Sequence, residues 1–159
     1  MNKVMNVKDA ISAAEAECYI TIGGSRYFFM QLINLEAKIE KEKIQIPILG
    51  KRTKGNKTVG WKGTGKAKMH YNTSVFRKML EKYKDTGSDD YFDIQVINND
   101  PISSVGTQAV MLKGCNIDGG VLAKFDANAD FLDEEISFTF EDFEVGTGFT
   151  NISGMKGDI

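Results

Sequence analysis

The chain has 159 residues, is 42% hydrophobic and 26% charged, and carries a formal net charge of −2. That length suits one domain with a core able to fold alone, and the composition is globular rather than disordered. The near-neutral balance excludes a general electrostatic pull toward nucleic acid or an anionic membrane.

No apolar run approaches the roughly 20 residues needed to span a bilayer, and the stretch from Met1 to Ala10 is too polar for a secretory leader. Cys18 and Cys115 both fall in alternating strand patterns. They read as free, packed thiols of a soluble protein made in a reducing cytoplasm, with a disulfide as the less favoured alternative.

In chain order, most segments alternate with period 2, the mark of strands with one buried face. Cys18, Ile20 and Ile22 share a face, Gly23-Gly24 follows, and a second apolar run begins at Tyr27. Two glycines supply the positive φ angles of a tight hairpin. Leu35 to Glu40 alternates, a charged break follows, and Ile44, Ile46 and Ile48 alternate again, with Pro47 marking a strand end or edge. Gly50 to Gly65 is rich in Gly, Lys and Thr and reads as a long exposed loop, before Ala67, Met69 and Tyr71 resume the alternation.

The spacing of Val75, Phe76, Met79, Leu80 and Tyr83 predicts a helix over Ser74 to Lys84. Thr73 or Ser74 can cap its start and Gly87 its end. Three strands follow: one on Phe92, Ile94 and Val96, one over Gln108 to Ile117, and one on Ile136, Phe138 and Phe140. Residues 1–10 and the Gly-rich stretch 146–159 are expected to be flexible. With neither a repeat nor a linker, the sum is a mainly β chain: an antiparallel β sandwich or barrel with one helix packed across it.

Charge is segregated. Between Gly50 and Lys68 the charged residues are Lys51, Arg52, Lys54, Lys57, Lys62, Lys66 and Lys68, with no acid among them, whereas Lys124 is the lone base between Asp118 and Glu144. Separated regions of opposite sign can orient copies of one protein toward each other, although two solvated faces would look the same.

Several motifs fail on their chemistry. Gly60-Trp-Lys-Gly-Thr-Gly65-Lys66-Ala67 has the spacing of a P-loop, but Ala67 supplies no oxygen for Mg²⁺ and a strand follows instead of a helix. Asp126, Asn128 and Asp130 match the opening of an EF-hand loop, yet Phe131 and Ser137 stand where the turn glycine and the bidentate glutamate belong, so a polar turn is expected. His70 is the sole histidine, lies among lysines on a polar face and has no catalytic set around it, and the cysteines lack metal-ligand spacing. No catalytic residue, metal ligand or cofactor site emerges. Trp61, the one tryptophan, lies in the basic stretch. It can stack on nucleic-acid bases, bury at a protein interface, or fold onto its own domain, and the sequence leaves these three open.

Ile11-Ser12, Tyr19 to Gly24, Leu35 to Lys43 running into Ile48 to Arg52, Lys54 to Thr58, Gly63 to Gly65, Thr73 to Phe76, Lys84 to Phe92 and, most clearly, Glu134 to Phe143 occur in a telling order. From Ile11 to Val145 that order resembles the XkdM-like tail-tube proteins of PBSX-like prophages, contractile phages and phage-tail-like bacteriocins. The resemblance implies a single tail-tube domain over 1–159 of Hcp-like architecture, and no enzyme. It implies hexameric rings whose inner strands close into one barrel, removing exposed edges, and head-to-tail stacking into a hollow tube. It makes Gly50 to Gly65 an inter-subunit assembly loop, carrying Lys51, Arg52, Lys54, Lys57, Trp61 and Lys62.

The implied partners are the protein itself, then sheath, baseplate or tube-initiator, tape-measure and tail-terminator proteins. DNA enters only as non-specific cargo, and there is no membrane partner. The implied place is a virion tail or phage-tail-like particle assembled in the host bacterial cytoplasm. Strand alternation predicts a polar lumen, best acidic, because fixed cations would hold DNA phosphates. The alternatives are a secretion-system-type tube and a small β-barrel nucleic-acid binder built on Trp61 and the basic loop.

Overall fold

The computed structural model describes residues 4–150 and 152; the expectation of flexibility for 1–3, 151 and 153–159 lies outside the described residues. Among the described residues the strands are β1 (Ala16–Ile22), β2 (Ser25–Phe28), β3 (Leu32–Ile46), β4 (Gly55–His70), β5 (Phe92–Asn99), β6 (Thr107–Ile117), β7 (Asp133–Phe140) and β8 (Asp142–Thr147). The helix α1 spans Val75–Thr86 between β4 and β5. The chain is mainly β and its strand pairs are antiparallel, as the period-2 patterns indicate. Contacts divide it into two compact units.

The first unit comprises Met1–Met30, Phe92–Lys113 and Phe143–Ile159. Its β1–β2 hairpin turns on Gly23 and Gly24, both at positive φ, as the glycine pair predicts. β1 pairs with β5, setting Cys18 opposite Val96, Ile20 opposite Ile94 and Ile22 opposite Phe92. Cys18, Ile20, Phe92, Ile94, Val105 and Leu112 are buried.

A loop after β5 is hydrogen-bonded to Asp9, Ser12 and Thr150. Asp100, itself buried, accepts N–H bonds from Ser12 at 2.9 Å and Ile102 at 3.0 Å. Ser104 donates from both its N–H (3.0 Å) and its hydroxyl (2.7 Å) to Asp9, the last residue of a 3-10 turn at Val7–Asp9. The N–H of Thr150 donates to the Val105 carbonyl at 2.8 Å. These bonds draw Asp9 and Asp100 below the ordinary carboxylate range: Ser104's hydroxyl and then its N–H act on Asp9, and the N–H groups of Ser12 and Ile102 act on Asp100. The strand β8, which pairs with β6, has no counterpart in the sequence reading.

The second unit comprises Gln31–Tyr91 and Gly114–Asp142. Here β4 lies between β3 and β7. One face holds the core, with Ala67, Met69, Ile136, Phe138 and Phe140 buried together with Phe76 and Met79 of α1. The helix ends where the sequence places it, with Gly87 in the left-handed region and its N–H on the Tyr83 carbonyl at 2.8 Å. Glu134 is buried and accepts a 2.7 Å ion-paired bond from Arg77 of α1, so the charge is not left unpaired. Arg77 also donates to the carbonyls of Thr73 and Val121 and lies over the Tyr71 ring.

Two boundaries differ from the sequence reading. The charged break between Leu35–Glu40 and Ile44–Ile48 is not a break, because β3 runs unbroken for 15 residues before Pro47. The supposed loop Gly50 to Gly65 is strand from Gly55 onward. Its alternation is hidden because Gly63 and Gly65 occupy apolar positions without apolar side chains. They pair with Phe140 and Phe138, whose rings fill the space: a β-carbon built on Gly65 would lie 2.3 Å from the Phe138 ring, and one on Gly63 would lie 2.4 Å from that of Phe140.

Candidate assembly surface

β3 and β4 form a long two-stranded arm. Leu35, Ala37 and Ile39 pair with Ala67, Gly65 and Gly63, on the face that leads into the core. Farther out the register steps from Glu42–Gly60 to Lys43–Thr58, which leaves Val59 as the extra residue of a β-bulge. Beyond it the apolar positions of β3 change from odd to even numbers. In an unbroken strand that sends Ile44 and Ile46 to the face opposite Leu35 and Ile39. No core covers them: Ile44, Ile46, Ile48 and Val59 are exposed, and Leu49 at the turn is fully so.

The structure divides the expected assembly residues. Lys51, Arg52 and Lys54 lie in the turn between Ile46 and Gly55, where the Lys51 N–H closes on the Ile48 carbonyl at 3.1 Å. Lys57, Trp61 and Lys62 are instead on β4, so they are strand residues and not loop residues. Lys57 pairs with Ile44 near the tip. Trp61 is 40% exposed and its ring lies 6.3 Å from that of Phe140, so it rests partly on its own domain. Lys62 points to the opposite face and meets Glu40 at 3.9 Å, an exposed pair of small energetic weight.

The second face of the β3–β4–β7 sheet is polar. Its rows run Glu36–Lys66–Ser137 and Lys38–Thr64–Thr139, with Lys68 opposite Glu135. A shallow hollow of about 370 Å³ on it is lined by Glu36, Lys38, Thr64, Lys66, Asp118 and Ser137 among others. Acids and bases alternate on this face. Lys68 meets Asp133 at 3.3 Å and, with Lys124, holds that carboxylate below its ordinary range. The basic and acidic stretches of the sequence are therefore partly sheet neighbours.

The failed motifs have plain structural roles. Gly60 to Lys66 is strand interior. The Asp126 side chain caps its own turn by accepting from the Asn128 N–H at 3.0 Å. His70 is exposed, with its ring 5.5 Å from that of Phe131. Both cysteines are free and buried. Among the described residues no group of His, Cys, Asp or Glu is placed to hold a metal ion.

Sequence reasoning missed the Val59 bulge and the exposed isoleucines beyond it. The change of parity from Ile39 to Ile44 was the available signal. It also passed over the apolar side chains of the loop between β6 and β7, where Leu122, Phe125 and Phe131 stand exposed.

A family model described as phage tail tube protein matches residues 3–146. The chain is 42% identical over 110 residues to the phage-like element PBSX protein XkdM of Bacillus subtilis, covering 69% of this chain and 75% of that protein. Among solved structures, the sheath/tube terminator of the extracellular contractile injection system PVC aligns with a TM-score of 0.67 at 10% identity, covering 89% of this chain and 100% of the other. The SPP1 tail tube aligns with a TM-score of 0.62 at 10% identity, covering 94% and 91%. These likenesses show the tube-protein fold, and the family is a structural, non-catalytic one. The chain belongs to the phage tail tube protein family.

Proposed function

We propose that this tail-tube protein forms hexameric rings that stack into the hollow inner tube of a contractile phage-like particle. The observation that carries the reading is the family match across residues 3–146. The polar face of the β3–β4–β7 sheet lines the channel, and its alternating Glu36–Lys66 and Glu40–Lys62 rows leave no continuous band of cations to hold DNA phosphates. Among the described residues β3 pairs with β4 alone, and closing that edge against the next copy completes a continuous barrel. The arm with Lys51, Arg52, Lys54, Lys57, Trp61 and Lys62 engages neighbouring copies. Sheath, baseplate or tube-initiator, tape-measure and terminator proteins complete the particle in the host bacterial cytoplasm, with DNA as non-specific cargo. The chain acts as one tail-tube domain.

Electron microscopy of the purified protein tests this. Six-fold rings or tubes of uniform bore are expected. A strict monomer at every concentration, giving no polymer with tail partners, refutes it.

A further inference from the structure

The second unit carries two exposed apolar patches of opposite charge, at the two ends of one strand. At the outer end of β4, the arm tip presents Ile46, Ile48 and Leu49 among Lys51, Arg52 and Lys54. At the other end, His70 pairs with Asp133 and its ring meets Phe131, which places the loop between β6 and β7 there. That loop exposes Leu122 (71%) and Phe125 (91%) among the exposed Asp126 and Asp130. Its one base, Lys124, is spent internally, donating to the Asp133 carbonyl at 2.8 Å and meeting its carboxylate at 3.4 Å.

We propose that the arm tip of one copy docks on residues 121–132, the outer part of the loop between β6 and β7, of a second copy. The contact rests on the tube reading and names the receiving surface for the arm. The 16 residues of β4 separate the patches by about 50 Å of strand, so they do not meet within one chain. Between copies they are complementary in charge and both apolar at the centre, which sets partner and register. Two different patches make a heterologous contact, which repeats head to tail and either closes into a ring or runs on as a stack, both of which the tube reading contains. The tip is available because β3 is unbroken and its apolar stripe passes, at Ile44 and Ile46, to the face opposite the one that continues the protein's own core. Two points of the loop are held before docking, where Arg77 donates to the Val121 carbonyl at 3.3 Å and where the Asp126 turn is closed on Asn128, which lowers the ordering cost there.

The test uses the full chain. Leu49→Cys protein is mixed with Phe125→Cys protein, allowed to assemble, oxidised, and run on a non-reducing gel; the native thiols are buried and do not compete. A cross-linked dimer is expected, and none when Tyr83→Cys replaces Phe125→Cys. Reversing Lys51, Arg52 and Lys54 to Glu is expected to raise the concentration needed for assembly by about tenfold or more, as is reversing Asp126 and Asp130 to Lys. Tubes that form without the cross-link overturn this contact and leave the tube reading standing. Unmodified protein that forms neither rings nor tubes at any concentration, alone or with tail partners, removes both.

Discussion

Phe138 lies directly opposite Gly65 across the β4–β7 pair, and its ring occupies the place a side chain at position 65 would take. Phe138 is fully buried, so the missing side chain on one strand is supplied by an oversized one on the next. Phe140 and Gly63 repeat the arrangement two residues along. The pairing fixes register, because a slip of one residue would set the rings against Thr64 or Lys66 and turn them out of the core.

Gly65→Ala therefore costs more than an ordinary strand substitution. The new methyl overlaps a ring that is packed on all sides, and about 1–3 kcal/mol of stability should be lost. Phe138→Ala removes the ring itself and should cost about 3–5 kcal/mol. Urea unfolding of each variant measures both. Gly65→Ala with Phe138→Leu should recover part of the first loss, and strictly additive losses would show that the two positions do not share one space.

Much of this was legible in the sequence. Cys18, Ile20, Phe92, Ile94, Ile136 and Phe138 alternate in the sequence and are buried in the structure, and Gly23-Gly24 and Gly87 turn the chain where glycine chemistry predicts. The β4 side of the arm was not legible as strand, because a two-residue period needs side chains to be seen and at Gly63 and Gly65 the apolar group comes from residues over seventy positions away. The charged stretch Glu40–Lys43 reads as a break for a related reason. An exposed hairpin pairs its backbone without burying either face, so its strands leave only a weak trace in hydropathy.

The Arg77–Glu134 pair makes a second prediction. The Glu134 side chain is 2% exposed and that of Arg77 18%, and the two meet at 2.7 Å. Removing Arg77 leaves a buried carboxylate without its cation, so Arg77→Ala should cost about 3–5 kcal/mol. A joint Arg77→Leu, Glu134→Leu replacement should cost less than that single change, because no charge is then stranded. Thermal unfolding of the three proteins gives the comparison, and equal losses for single and double variants would count against the stranded charge.

Cys18 gives a third. Burial alone pushes its thiol up to about 12 from an ordinary value of 9.0, so it stays protonated and unreactive in the folded protein at neutral pH. Because the folded pKa is raised, the associated stability is complete below pH 9 and is lost as pH rises from there toward 12. Disulfide-exchange reagents should label neither Cys18 nor Cys115 at pH 8 without denaturant, and both once unfolding is complete. Fast labelling of native protein would contradict the burial.

The acid limb of stability should be set in part by Asp9 and Asp100. Both have folded pKa values below the ordinary 3.8, because the N–H and hydroxyl groups bonded to them favour the carboxylate. A lowered folded pKa means the unfolded chain takes up protons first. The stability from these groups is therefore full above about pH 4–5 and is lost as pH falls below 3.8 through the folded values. Asp100→Asn removes the charge that the Ser12 and Ile102 N–H groups address, so the variant should be less stable at pH 7 and its stability should fall less steeply between pH 5 and pH 2. Urea midpoints across that range test the difference in slope, and parallel curves for the variant and the parent would show that Asp100 does not carry it. Because the bonds converge on the loop that also holds Thr150, hydrogen exchange at the Thr150 N–H should quicken in the variant before the β1–β5 pair is affected.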